Sequence, residues 1–180
     1  GHMDVVLAGD PGLWKVTVAG PRPVLEPIYL FDPARPGHTQ DHLGFGGIQA
    51  RQGLFARNGN VLLIPGRQSA TVAVFDVDRH KLLRTIQVGA APEKIVPAPD
   101  DRWAFTLDTQ GNSITRIDLH RLEAAGHTVL RANPQDLIVS PDGAELYVTL
   151  PGEPGHRGRL AVIEIEHMTV VDLIPVGLDP

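Results

Sequence analysis

The sequence contains no cysteine, so it can form neither a disulfide framework nor a thiolate metal site. It also has no apolar run near the roughly 18 residues that a membrane-spanning helix needs. Positive charge is not in excess, because 16 Lys and Arg stand against 21 Asp and Glu, for a formal net charge of −5. The sequence therefore predicts neither a nucleic-acid partner nor a membrane span.

Apolar residues make up 42% of the 180 residues, enough for one packed core. The 19 glycines and 16 prolines are scattered along the chain, which is typical of many short strands separated by turns. The opening Gly1-His2-Met3 is interpreted as a cloning remnant, so a native signal peptide could precede residue 4 in the natural protein.

A repeat of about 42 residues organises the chain. Asp100 and Asp142 are 42 positions apart, whereas Ile117 and Ile163 are 46 apart, so the last copy carries four extra residues. From the same core position to the following proline, the spacing is 17 in all three copies: Phe75 to Pro92, Ile117 to Pro134 and Ile163 to Pro180. A constant phase at so many points indicates one structural unit written three times.

Each copy is predicted to hold four short strands, called a to d. Asn58-Gly59, Asp100-Asp101 and Asp142-Gly143 predict the a–b hairpin, because Asn, Asp and Gly tolerate positive φ. Strand b follows as "NVLLI", "WAFTL" and "LYVTL", and strand c as the alternating "TVAVFDV", "SITRIDL" and "RLAVIEI". Strand d of the second copy is predicted to begin at His127, which leaves residues 120–126 in the c–d connection.

A four-stranded unit of this length cannot bury both of its faces alone, but radial repetition lets each blade pack on its neighbours. The fold prediction is an all-β β-propeller. A β-sandwich of unrelated hairpins would explain the strands but not the constant phase. Strands b and c are predicted to carry the core, with these residues buried: Val74, Phe105, Ile117, Leu146, Val148 and Val162.

The ring is predicted to be incomplete. The first segment reads as strands b, c and d only, which gives about three and three-quarter blades, or 15 strands. Two copies would supply two strands too few for eight blades, so a ring closed by a homodimer is disfavoured. The predicted divisions are a cloning remnant at 1–3, an incomplete blade at 4–33, an insertion loop at 34–50, and blades at 51–91, 92–133 and 134–180.

Tyr147-Val148-Thr149, the "SPDG" at 140–143 and the cadence from Thr71 to Pro92 resemble the YVTN family of β-propeller repeats, over about residues 51–180. The resemblance implies the N-terminal part of a longer bacterial or archaeal propeller, located in the periplasm or outside the cell. It implies little about activity, because related propellers also hold haem, quinone or lactonase chemistry.

Two stretches break the repeat, 33–50 and 152–159. The first is a d–a connection and the second a b–c connection, and in a propeller both emerge on one face. Loops on a rigid scaffold commonly carry binding, so this face is predicted to bind a protein, a glycan or a small ligand. Its predicted residues are His38, Asp41, His42, Arg67, Asp108, Gln110, His156 and Arg157.

His38 and His42, with Asp41 beside them, have ligand types that suit zinc or copper; the alternative is a solvated loop. No other cofactor is indicated. His156, Arg157 and Arg159 suit a carboxylate or phosphate, with an exposed hairpin tip as the alternative.

Other recurring polar residues are interpreted as structural. His80, His120 and His167 are predicted in c–d hairpins on the opposite face, and the carboxylates Asp76, Asp118 and Glu164 recur at one strand c position, which favours a role in blade architecture.

The functional prediction is a non-catalytic binding scaffold. A lactonase-like or cofactor- or metal-dependent propeller enzyme is the alternative, with Glu93, Lys94, Gln135 and Asp136 near the starts of the inner strands as its limited support. An open array leaves an apolar blade face uncovered, so either self-association or further C-terminal blades are expected.

Overall fold

The computed structural model describes three strands by their backbone (residues 3–9, 12–18 and 24–28) and describes residues 53–57, 59–79, 81–152 and 157–177 with their side chains. All regular elements in these ranges are β-strands, 15 in number. No helix long and apolar enough to span a bilayer occurs among them.

The strands form four antiparallel sheets in which neighbours in space are neighbours in the chain. The first sheet has β1 (Met3–Gly9), β2 (Gly12–Val18) and β3 (Val24–Ile28). The second has β4 (Leu54–Ala56), β5 (Val61–Gly66), β6 (Thr71–Asp76) and β7 (Lys81–Gln87). The third has β8 (Pro92–Pro97), β9 (Trp103–Asp108), β10 (Ser113–Asp118) and β11 (Glu123–Val129). The fourth has β12 (Asp136–Val139), β13 (Glu145–Leu150), β14 (Arg159–Glu164) and β15 (Thr169–Pro175).

The repeat is visible in backbone geometry. The predicted a–b turns have positive φ at Gly59 (88°), Asp101 (53°) and Gly143 (73°), as the turn residues require. The pairing of the third and fourth strands of each complete sheet shifts register at one repeated position, between Val74/Phe75, Arg116/Ile117 and Val162/Ile163. A bulge at this position bends and twists every sheet in the same way.

Neighbouring sheets pack face to face through two apolar clusters. One joins the second and third sheets and includes Leu63, Val74 and Ile117; the other joins the third and fourth and includes Phe105 and Leu146. All six residues predicted for the core are buried, with exposed fractions of 0–6%. The innermost strand β8 contacts both β4 and β12. The described four-stranded sheets are therefore propeller blades, and they do not close into a ring.

Strand β11 differs from the prediction, because it begins at Glu123 and not at His127. Asp118 pairs with Glu123 immediately after a short turn, and the register shift leaves Ala125 unpaired beside Gly126, whose φ is 154°. Glycine adopts this backbone readily. Pairing with β10 thus overrides the weak local preference of residues 120–126 for a helix turn.

The recurring carboxylate of strand c has the predicted architectural role. In each complete sheet it accepts a hydrogen bond from the backbone N–H three residues later, inside the c–d turn. The pairs are Asp76 with Arg79 (2.9 Å), Asp118 with Arg121 (2.8 Å) and Glu164 with His167 (3.1 Å).

Replacing Asp118 by Ala should lower the free energy of unfolding by about 1–2 kcal/mol, because the N–H groups of His120 and Arg121 lose their acceptor. Burial raises the pKa of Asp118, but those backbone hydrogen bonds outweigh it and bring the pKa below 3.8. The contribution is therefore present above pH 3.8 and is lost as pH falls through the folded-state pKa. Urea unfolding at pH 7 and pH 3 measures both effects. The control is Asp78→Ala in the second sheet's turn, and an equal loss in that variant would contradict the assignment.

Candidate functional site

The b–c and d–a connections meet at one end of the sheets, as predicted. The N–H of Gly111 donates to the carbonyl of Ala90 (3.0 Å), and the N–H of Leu130 donates to the carbonyl of Asn112 (2.6 Å). We call this end the loop face, made of residues 67–70, 88–91, 109–112, 130–135, 151–152 and 157–158. The c–d turns with His120 and His167 lie at the other end of the strands.

The described members of the predicted binding set lie on or beneath the loop face. Gln110 and Arg157 are exposed, and Arg67 pairs with Glu93 on β8 at 3.0 Å. The structure thus brings Arg67 to the second sheet's junction with the third. Asp108 is described below. The other predicted residues, His38, Asp41, His42 and His156, fall outside the described part of the chain, as does His80, so the metal site at His38 and His42 and the placements of Asp41, His156 and His80 stay predictions.

Polar groups at the inner strands are engaged in contacts between sheets. Besides the Arg67–Glu93 pair, Lys94 binds Asp136 at 2.5 Å, which joins β8 to β12. The hydrogen bond from Lys94 is the largest cause of a lowered pKa at Asp136. These ion pairs are partly exposed, so each contributes modestly to stability. They also occupy three of the four polar groups on which the enzymatic alternative relied.

Asp108 is fully buried, although the prediction placed it among surface loop residues. It ends β9 and faces the second sheet, with Ser113 and Thr115 beside it on β10. Its Oδ2 accepts hydrogen bonds from the N–H of Gly89 (3.1 Å) and the hydroxyl groups of Thr115 (2.6 Å) and Ser113 (3.3 Å). Asp108 therefore positions the β7–β8 connection from beneath, and does not itself form the surface.

One oxygen of this carboxylate has no partner among the described residues. Within them, Oδ1 of Asp108 is buried without a hydrogen bond, as is the hydroxyl oxygen of Thr106. Burial raises the pKa of Asp108, and the hydrogen bonds from Thr115, Gly89 and Ser113 only partly offset this. The equivalent residues 42 positions away are Gly66 and Leu150, so the third sheet alone among the described blades has a carboxylate here.

Two clefts open on the loop face between neighbouring sheets. The cleft between the second and third sheets has a volume of about 450 Å³ and is lined by residues including Gly89, Gly111 and Ser113. The cleft between the third and fourth sheets is larger, about 620 Å³. Three arginines line it: Arg131, Arg157 and Arg159. The sequence indicated the last two as anion ligands but missed Arg131, which lies far from them in the chain.

An acidic group at the opposite end has a simpler explanation. Ligand atoms of Glu164, Glu166 and His167 lie within 4.8 Å of one another. His167 already contacts Glu164 at 2.9 Å within the c–d turn, and this pairing raises the pKa of His167. All three belong to the repeated turn described above, so the turn accounts for their proximity.

No family model and no curated protein matches the chain. Solved structures do resemble it. Hydrazine synthase of Kuenenia stuttgartiensis is 25% identical over 71% of this chain and 38% of that one, with a TM-score of 0.63. AztD from Citrobacter koseri is 14% identical over 97% of this chain and 46% of that one, with a TM-score of 0.68. A putative 6-phosphogluconolactonase from Bacteroides uniformis is 15% identical over 97% and 57%, with a TM-score of 0.61.

The chain thus spans less than two thirds of the length of these structures. At these levels of identity, the likenesses to AztD and the putative lactonase concern the fold alone. They agree with the arrangement of the sheets: the chain is similar to β-propeller proteins, whose chemistry differs from one to the next.

Replacing Asp108 by Asn should leave the protein as stable as the wild type or more stable at pH 7, and the gain should shrink toward pH 4. The folded-state pKa lies above 3.8, so the ionised carboxylate costs stability at high pH, and that cost disappears as the folded protein takes up a proton. Asn keeps an acceptor oxygen for Gly89 and Thr115 without the charge. Urea unfolding at the two pH values measures the difference.

The companion variant is Asp108→Ala, which leaves the N–H of Gly89 and two hydroxyl groups without their acceptor. It should lose about 1–3 kcal/mol. A larger loss for the Asn variant at pH 7 than at pH 4 would show that the buried charge stabilises the protein and would refute the assignment.

Proposed function

We propose that the protein is a non-catalytic propeller scaffold that binds its ligand on the loop face. One observation carries the proposal: on this face the described blades differ in loop length and in the residue beneath the loops, whereas the c–d turns at the other end keep one length and one carboxylate hydrogen bond. Asp108, Arg131 and Arg157 each differ in type from their repeat equivalents. Variable connections on a rigid framework are the usual arrangement for binding.

The polar groups of the inner strands support binding over catalysis. Glu93 and Asp136 are each paired with a basic residue, and Asp108 holds a loop from below. A general acid, base or nucleophile needs a group that is free to reach a substrate atom. Among the described residues, these carboxylates serve contacts within the protein.

We also propose that the repeats belong to the YVTN type and that the protein is exported to the periplasm or the cell exterior. The support is the Tyr147-Val148-Thr149 strand in its repeat context. Fractionation of cells expressing the full-length gene tests the location. Recovery of the protein in the cytoplasm alone would count against export.

The binding face can be mapped with paired variants. Calorimetry with glycans, organic anions, peptides and lactones should first identify ligands of the wild type. Their binding should weaken at least about tenfold in the double variant Gln110→Ala/Asn112→Ala, because these exposed side chains lie on the loop face. The control is His120→Ala/Arg121→Ala, on exposed residues at the opposite end. If only the control pair loses binding, the face is wrong. Turnover of a lactone would favour the enzymatic alternative.

Self-association is expected at high concentration. The fourth sheet exposes apolar side chains on its two edge strands, β12 and β15, with exposed fractions of 60% at Ile138, 57% at Val171 and 40% at Ile174. A second copy is proposed to cover them. Light scattering should give a mass above the 19.4 kDa of one chain, and Ile138→Lys/Val171→Lys should reduce it. The control is Leu83→Lys, on an exposed residue of the second sheet; a monomer at millimolar concentration would contradict self-association.

A further inference from the structure

The two clefts of the loop face occupy equivalent places in the repeat. Arg131 lies 42 positions after Gly89 and is its equivalent in the next repeat. Because the b–c loop of the fourth sheet is four residues longer, the equivalents of Gly111 and Ser113 lie 46 positions later, at Arg157 and Arg159. The three arginines of one cleft thus replace the three small residues of the other. The junction between the second and third sheets, which we call the reference junction, shows what the fold itself requires at these positions.

In the reference junction the small residues are needed for close packing. A Cβ atom at Gly89 would lie 2.4 Å from Oγ of Ser113 and 2.5 Å from Oδ2 of Asp108, and one at Gly111 would lie 2.8 Å from the backbone nitrogen of Ala90. The carboxylate of Asp108 therefore closes this junction against the loop. The two sheets pack at the reference junction without a basic residue at any of these three positions.

The next junction is built differently. Leu150 stands where Asp108 would be, so the carboxylate that holds the loop is replaced by an apolar side chain. Arg131, Arg157 and Arg159 are all exposed, and no acid is among the described residues that line this cleft. The described residues form no ion pair with any of them. Three like charges therefore gather in one cleft of a protein whose net charge is −5.

Gathering three guanidinium groups costs repulsion, and nothing in the reference junction requires it. An anion would offset the cost, since guanidinium donors match the oxygens of a carboxylate or phosphate in pairs. The other walls are apolar and partly open to solvent: Val129 is 66% exposed, Val170 39% and Leu173 37%. The cleft thus combines anion recognition with a surface for a hydrocarbon part.

We propose that this cleft binds a small organic anion, with a carboxylate or phosphate group held by Arg131, Arg157 and Arg159 and an apolar part against Val129, Val170 and Leu173. The inference rests on the proposed function and deepens it, because it assigns a ligand class to the loop face.

The test is calorimetric titration with adipate, phenyl phosphate and inorganic phosphate, with uncharged 1,6-hexanediol for comparison. Adipate or phenyl phosphate should bind the wild type, and hexanediol should not. The variant Arg131→Gly/Arg157→Gly/Arg159→Ser restores the reference junction's residue types, so it is expected to fold. Each lost arginine should weaken binding about tenfold. If the triple variant fails to fold, the single variant Arg157→Gln replaces it. This variant changes one exposed loop residue and should also weaken anion binding.

The matched control is Arg79→Ser/Lys81→Ser/Arg121→Ser, which removes the same charge at the other end of the sheets and should bind the anions as the wild type does. A weaker signal with inorganic phosphate than with phenyl phosphate shows the apolar wall contributing. Absence of binding by the wild type at 10 mM of every anion, or equal binding by the triple variant, overturns the inference. A glycan or peptide that the triple variant still binds on the loop face would leave the scaffold function intact and remove only this ligand class.

Discussion

Each blade of this protein has two apolar faces, and only another sheet can cover them. Phe105 points toward the fourth sheet and Ile117 toward the second, from the same blade, and both are fully buried. Strand alternation makes this possible, because successive side chains leave a strand on opposite faces. No blade can therefore fold with a core of its own. The geometry of the junction between two blades determines how the turns and loops at its two ends are placed.

The two ends of a junction are held in different ways. At the end with the c–d turns, side chains of one sheet donate to carbonyl groups of the next: Arg116 to Ile165 (2.5 Å) and Thr128 to Met168 (2.5 Å). At the loop face, the connections bond to each other, and beneath them the side chain differs from one junction to the next, Asp108 in one and Leu150 in the other. The first end is therefore constrained by backbone acceptors that every sequence provides, whereas the second end can vary. A binding site at the loop face is consistent with this difference.

Much of the fold could be predicted from the sequence because the repeat fixes strand order, the a–b turns and the core together. The start of β11 was misplaced because residues 120–126 locally favour a helix turn, although the repeat itself places it: β7 begins at Lys81, and β11 begins 42 residues later at Glu123. The burial of Asp108 was also missed, since a carboxylate after a strand resembles an exposed turn residue. Its signal was present in Ser113 and Thr115, two hydroxyl residues on alternate positions of the next strand, which therefore share one face with it.

Arg131 shows what comparison of the copies adds to reading each copy alone. By itself it is one basic residue in a d–a connection, and such residues are commonly solvated. Aligned with Gly89, it stands at a position where the preceding junction admits no side chain at all, because a Cβ there would meet Ser113 and Asp108. The junction that holds Arg131 differs at both of those contacts, with Leu150 in place of Asp108 and Arg159 in place of Ser113. These departures from the repeat occur together at one junction, and they exchange a carboxylate that holds a loop for a cleft that presents positive charge.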